Sequence, residues 1–116
     1  MLPLMLTEAA KRHMELEEIT PLLSENTCKN LGLYPKKGCI AVGSDADFVI
    51  VDTEKKYKLS KDEMYTKAKD VNVLFDSLEV QGKPIYTILR GEILMENGVV
   101  DISKKGYGRF VPKAEY

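Results

Sequence analysis

The stretch Gly43-Ser44-Asp45-Ala46-Asp47-Phe48-Val49-Ile50-Val51-Asp52 decides how the chain is to be read. Glycine, serine and aspartate open it as a turn, because a glycine accepts positive φ and short polar side chains bond to nearby backbone N–H groups. An uninterrupted run of aromatic and β-branched residues follows, which predicts a strand buried on both faces. Just upstream, Pro35-Lys36-Lys37-Gly38 predicts another turn and Cys39-Ile40-Ala41-Val42 a short strand.

Downstream the strand signals continue. Tyr57-Lys58-Leu59 continues or follows the apolar run, and Ser60-Lys61-Asp62-Glu63 has the form of a capping box around a single helical turn. Leu78 to Val80, Pro84 to Arg90 and Glu92 to Met95 are further strands, and Asn97-Gly98 predicts a two-residue hairpin returning through Val99-Val100. From Ser103 the chain reads as an extended arm containing Gly106 and Gly108.

Upstream the period changes. From Leu4 to Leu23 the apolar residues Leu4, Met5, Ala9, Met14, Leu16, Ile19, Leu22 and Leu23 recur at mostly helical spacing, with a break between Arg12 and Glu15. Thr20-Pro21 opens a second helix or lies in the first turn of one begun at Leu16. Asn26 is a candidate cap for a short turn through Leu31, which Gly32 would stop in a left-handed conformation. Helices first and short strands afterwards predict an α+β fold with a mainly antiparallel β portion. The expected division is a helical segment over residues 1–34, a β-rich domain over 35–102 and an extended tail over 103–116. No internal repeat is visible.

Composition narrows the function classes. The chain has 116 residues, too few for a (β/α)8 barrel of about 200 or more. Seventeen Lys and Arg against 18 Asp and Glu give a net charge of −1. That balance offers no electrostatic argument for a nucleic-acid or membrane partner. No apolar run approaches the ~20 residues of a membrane span. The apolar start Met1 to Leu6 lacks the preceding basic residues of a signal peptide. Cys28 and Cys39 have no CxxC spacing, so two free thiols in a cytoplasmic protein are expected.

Chemistry is sparse. Zinc takes three or four ligands from His, Cys, Asp or Glu, and the chain has one histidine, His13. Glu8, Glu15, Glu17 and Glu18 stand near it in sequence, as solvated charges on a helix would. Neither cysteine has a histidine close in sequence to activate it, and Cys39 opens an apolar run as a small core residue would. Asp45, Asp47 and Asp52 bracket a strand, as paired acid–base carboxylates do, but the first two flank a turn that their side chains would tie down. The glycines punctuate turns, and none forms a phosphate-cradling cluster ahead of a helix. Lys36-Lys37 and Lys104-Lys105, with Tyr34, Tyr107 and Phe110 nearby, are short basic pairs of the kind that solvated turns carry.

The ordered motifs nevertheless resemble a known family. Ser24-Glu25-Asn26, then Leu31-Gly32-Leu33-Tyr34-Pro35-Lys36-Lys37-Gly38, the Gly43–Asp52 stretch, Val80-Gln81-Gly82-Lys83-Pro84, Thr87-Ile88-Leu89-Arg90-Gly91 and Gly106-Tyr107-Gly108-Arg109-Phe110-Val111 together resemble the C-terminal segment of the amidohydrolase superfamily. The likeness is to dihydroorotase, allantoinase and dihydropyrimidinase (hydantoinase), over about Leu2 to Pro112. It departs at Asn26-Thr27-Cys28, where the family often has Asn-Pro-Ala. It departs again at Val73-Leu74-Phe75-Asp76-Ser77, which lacks the glycine of a Pro-Phe-Glu-Gly-like element.

The resemblance implies a metal-bearing (β/α)8 barrel with a small β-domain built from both chain ends. Residues 2–32 would then be the last barrel helices, and residues 39–100 the C-terminal share of the β-domain. The family's metal ligands are a His-x-His pair, a carboxylated lysine, two further histidines and an aspartate, all upstream of this region. None is matched here, so no catalytic, cofactor-binding or metal residue is expected in this chain; zinc or another divalent metal belongs to the parent enzyme. The implied function is the non-catalytic closing portion of a cyclic amidase, with dihydroorotase first among the three. The alternatives are a split-enzyme subunit or an assembly module that pairs with a barrel chain or with itself.

Overall fold

A computed structural model describes residues 1–71 and 73–113. Three helices, α1 (Leu2–Lys11), α2 (Leu16–Leu23) and α3 (Glu25–Asn30), precede four strands, β1 (Phe48–Lys58), β2 (Glu79–Leu89), β3 (Glu92–Glu96) and β4 (Val99–Val100). The strands form one antiparallel sheet in the order β1-β2-β3-β4. The fold is therefore α+β, helices first. No helix among the described residues is long and apolar enough to cross a membrane.

Local chemistry accounts for the helix boundaries. Pro3 lies in the first turn of α1, where its missing N–H costs nothing. The chain leaves α1 through His13, which takes a positive φ of 55°. Glu15 and Glu18 form a reciprocal capping box at the start of α2, the Glu15 N–H donating to Glu18 Oε2 at 2.8 Å. Pro21 lies inside α2, in its second turn, so the helix begins at Leu16 and not at Thr20. Ser24 precedes α3 and Asn26 lies within it, so Asn26 is not the cap. Gly32 stops this segment with φ +68°, as expected.

The strand expectations are corrected in three places. Cys39-Ile40-Ala41-Val42 forms no strand: it runs as an irregular loop with no neighbouring strand among the described residues to pair with. The run from Phe48 is a strand, but not one buried on both faces. It opens β1, an edge strand with a single neighbour, and Val49 and Ile50 are half exposed. The separate strands expected at Leu78–Val80 and Pro84–Arg90 fuse into β2.

Two irregularities bend the β1–β2 ladder. The register shifts between Ile50 and Val51, opposite Pro84, a residue with no N–H to give the ladder. It shifts again between Asp52 and Lys56, where Asp52 Oδ1 accepts the N–H groups of Glu54 and Lys55, each at 3.1 Å. Gly82, φ +91°, faces this second bulge. Asn97 and Gly98 turn the β3–β4 hairpin with φ of 50° and 87°, the signature of a type I′ turn. Ser60 accepts the Asp62 N–H to cap a 3-10 turn at Lys61–Glu63, and a second such turn at Ile102–Lys104 leads into an arm without regular structure. The last three residues of the expected tail, 114–116, lie outside the described residues.

The core sits where the helices meet the sheet. Leu6, Ala9 and Ile19 are buried together, with Leu2, Met14 and Val51 packed against them. Val80 is buried on β2. Thr7 fastens α1 to the sheet: its hydroxyl accepts the Gln81 N–H at 2.9 Å and donates to the Pro3 carbonyl at 2.6 Å.

Candidate functional site

The charged residues singled out in the sequence converge on one point. Lys37, from the turn after α3, reaches Asp45 Oδ2 at 2.9 Å and also pairs with Asp47 Oδ2. The other Asp47 oxygen, Oδ1, accepts the Arg90 N–H at 2.8 Å from the end of β2. Backbone bonds frame the group: Asp45 N–H to the Lys36 carbonyl and Gly91 N–H to the Ala46 carbonyl, both at 2.9 Å. The lysine side chain is only 14% exposed, against 22% and 27% for the two aspartates. Three turns distant in sequence are thereby closed on one another before β1 begins.

This arrangement acts as a latch between the turns. The hydrogen bond and charge of Lys37 hold the Asp45 carboxyl below its usual range, despite partial burial. Burial acts against the Lys37 ammonium, but the hydrogen bonds to Asp47 and Asp45 and their charges outweigh it and raise its pKa. The Lys37 ammonium is shared between the two carboxylates, so both are engaged in holding the turn. The sequence expectation that Asp45 and Asp47 tie down the turn holds, but through a lysine side chain and a distant backbone N–H. Asp52 serves the β1 bulge separately.

Lys37 and Arg90 are what sequence reasoning missed. In sequence Lys37 reads with Lys36 as a solvated pair, and no local pattern marks which of the two turns inward. Arg90 takes a positive φ of 48°, its guanidinium stacks 4.3 Å from the Tyr107 ring centroid, and its Nη2 donates to the Tyr107 carbonyl. The glycine-rich Gly106-Tyr107-Gly108-Arg109 is thus a docking point for the arm. Lys104 bonds Glu92 Oε2 at 2.6 Å.

The remaining candidates stay apart. His13 is exposed at the α1–α2 break. Glu8 bonds Lys11 at 2.9 Å, and Glu18 turns back to its own helix start. Cys28 and Cys39 are free and partly buried. Cys39 Sγ donates to the Pro35 carbonyl at 3.3 Å and lies 3.2 Å from Ser44 Oγ, so it is a loop residue and not part of the core. No three His, Cys, Asp or Glu among the described residues come together in a way that could hold a metal ion. These residues therefore do not fit a zinc or other divalent centre. An open groove of about 700 Å³ between α1 and the β1–β2 ladder is lined by Lys11, Lys56, Tyr57, Lys58 and Glu79 among others.

Comparison with known proteins adds the context. The sequence profile of the amidohydrolase family matches residues 1–94. L-hydantoinase from Paenarthrobacter aurescens is 35% identical over 116 residues, covering 99% of this chain and 25% of that protein. Dihydroorotase from Methanothermobacter thermautotrophicus is 37% identical over 111 residues, covering 96% and 24% respectively. The solved L-hydantoinase (dihydropyrimidinase) from Arthrobacter aurescens superposes with a TM-score of 0.74 at 32% identity, over 87% of this chain and 22% of that one. The chain thus spans about a quarter of the length of the relatives it matches. With the profile matched across most of its residues and the helix-then-meander fold reproduced in a solved relative, the chain belongs to the amidohydrolase family.

Proposed function

We propose that the chain is the non-catalytic C-terminal portion of a metal-dependent hydrolase of cyclic amides, and that it is inactive alone. One observation carries this reading: nearly all of the chain aligns with only a quarter of L-hydantoinase. In such an enzyme a divalent metal, zinc or another, would activate the attacking water. The residues described here would instead hold the β portion in shape, with Lys37, Asp45, Asp47 and Arg90 closing its turns.

Dihydroorotate is the first ring to try, followed by hydantoin and allantoin. Two free thiols suit a cytoplasmic setting, where they stay reduced. The test has two arms. The purified chain is assayed with all three rings in the presence of zinc, and is expected to show neither turnover nor stoichiometric metal. It is then co-expressed with L-hydantoinase lacking the matched quarter, where association and restored hydrolysis are expected. Turnover by the chain alone overturns the reading.

A second reading, an assembly module that pairs with a barrel chain or with itself, is favoured by the exposed apolar edge of β1. Light scattering separates the two forms of pairing, since self-pairing predicts a dimer in the chain alone.

A further inference from the structure

The two cysteines of the chain are folded onto one turn, although no CxxC spacing links them. The Cys28 carbonyl, in α3, accepts the Leu33 N–H at 2.8 Å and the Tyr34 N–H at 3.2 Å, which wraps the following turn around that residue. The turn comes back against the Cys28 side chain at Gly38. A Cβ added there would lie 2.7 Å from Cys28 Cβ and 3.0 Å from Cys28 Sγ. Cys39 is the next residue. Its Sγ lies 3.2 Å from Ser44 Oγ, a hydroxyl able to donate to a thiolate. Both cysteines are partly buried and both are free.

These contacts bound the distance between them. Standard bond lengths put the Cα atoms of Cys28 and Gly38 within roughly 6 Å of each other, and Cys39 Cα is about 3.8 Å further at most. A disulfide needs Cα atoms about 4.4–6.8 Å apart, so a movement of no more than about 3 Å brings the pair into range. Little resists it. Residues 38–44 have no helix or strand, and Ile40 and Val42 project into water with no packing to hold them.

We propose that Cys28 and Cys39 form a reversible intramolecular disulfide, a redox-sensitive clasp beside the Lys37 latch. In a reducing compartment the thiols stay free, as they are here; the bridge forms when a small-molecule disulfide such as oxidised glutathione accumulates. One cysteine gives up its proton and its thiolate attacks a sulfur of that disulfide, whose S–S bond breaks. The second cysteine, deprotonated in turn, attacks the mixed disulfide and displaces the remaining half. The two protons end on the two small thiols released, so two cysteines are oxidised and one small disulfide is reduced. The bridge closes residues 28–39 into a loop, with Lys37 inside it, and fastens the turn to α3.

The test titrates the full chain with glutathione buffers of stepped oxidation, in native buffer and in concentrated urea, with acid quenching and mass spectrometry. The folded chain should lose two hydrogens and carry no glutathione. It should reach half oxidation in a buffer at least about tenfold less oxidising than the unfolded chain needs, because the fold has already closed the loop. By the same cycle the oxidised chain should unfold at a higher urea concentration than the reduced one. Cys28→Ser and Cys39→Ser should each carry one bound glutathione instead. A folded chain that stays reduced, holds two glutathiones or links to a second copy overturns the proposal. So does equal oxidation of the folded and unfolded chains, which would make the pairing a property of any flexible segment.

Discussion

Gly82→Ala tests how closely α1 is seated on the sheet. Gly82 has φ +91°, and a Cβ added there would lie 2.7 Å from Leu6 Cδ1 and 2.9 Å from Leu6 Cβ. Two costs follow. The positive φ penalises a residue with a Cβ by about 1–2 kcal/mol. Forcing a methyl against a buried leucine that is itself packed in the core adds about 1–3 kcal/mol. The sum, about 2–5 kcal/mol, is a large part of the roughly 5–15 kcal/mol typical of a domain. At a denaturant slope of about 1–3 kcal/mol/M, the urea midpoint should fall by at least about 0.7 M. Gly98→Ala is the matched control, since Gly98 has φ +87° and nothing within 4 Å of its added Cβ. It should show only the backbone cost. Urea unfolding followed by circular dichroism reads both variants. If Gly82→Ala destabilises no more than Gly98→Ala, the contact between α1 and β2 is not as close as described, and the reasoning fails.

Other expectations concern the latch and the helix–sheet junction. Asp47→Ala removes the acceptor of the Arg90 N–H and one partner of Lys37, and should cost about 1–3 kcal/mol in urea unfolding, with faster hydrogen exchange at the Arg90 amide. Stability should form a plateau in pH. The Asp45 carboxyl is lowered in the folded chain from 3.8, so its contribution is present above that value and lost as pH falls through the folded pKa. The Lys37 ammonium is raised from 10.5, so its contribution is complete below that value and lost as pH rises through the folded pKa. Thermal melts from pH 2 to 12 check both limits, and Lys37→Met should flatten the alkaline one. Thr7→Val keeps the shape but leaves the Gln81 N–H without its acceptor, which should lower stability by about 1–2 kcal/mol in the same assay.

The parts of the fold legible in the sequence are those governed by local chemistry. Asn97-Gly98 fixes its hairpin because both residues tolerate positive φ, and Ser60 caps its turn through a bond two residues away. The Phe48 strand is legible because β-branched residues suit a pleated surface. What it packs against is not, since burial depends on neighbours that a local run does not name; hence its half-exposed face. Cys39–Val42 shows the same limit more sharply, with strand composition and no pairing partner among the described residues. The latch is partly legible. The sequence marks Asp45 and Asp47 as turn-fixing, but the partners lie ten residues back and forty-three ahead, at separations without a periodic signature.

The bond between Thr7 and Gln81 has a mechanical consequence. A helix that the resemblance assigns to the barrel side is joined through its middle to the backbone of the central strand β2, 74 residues away in sequence. Leu6, one residue before Thr7, lies against Gly82, one residue after Gln81. Any rocking of the β portion against its surroundings would carry α1 with it as a single lever.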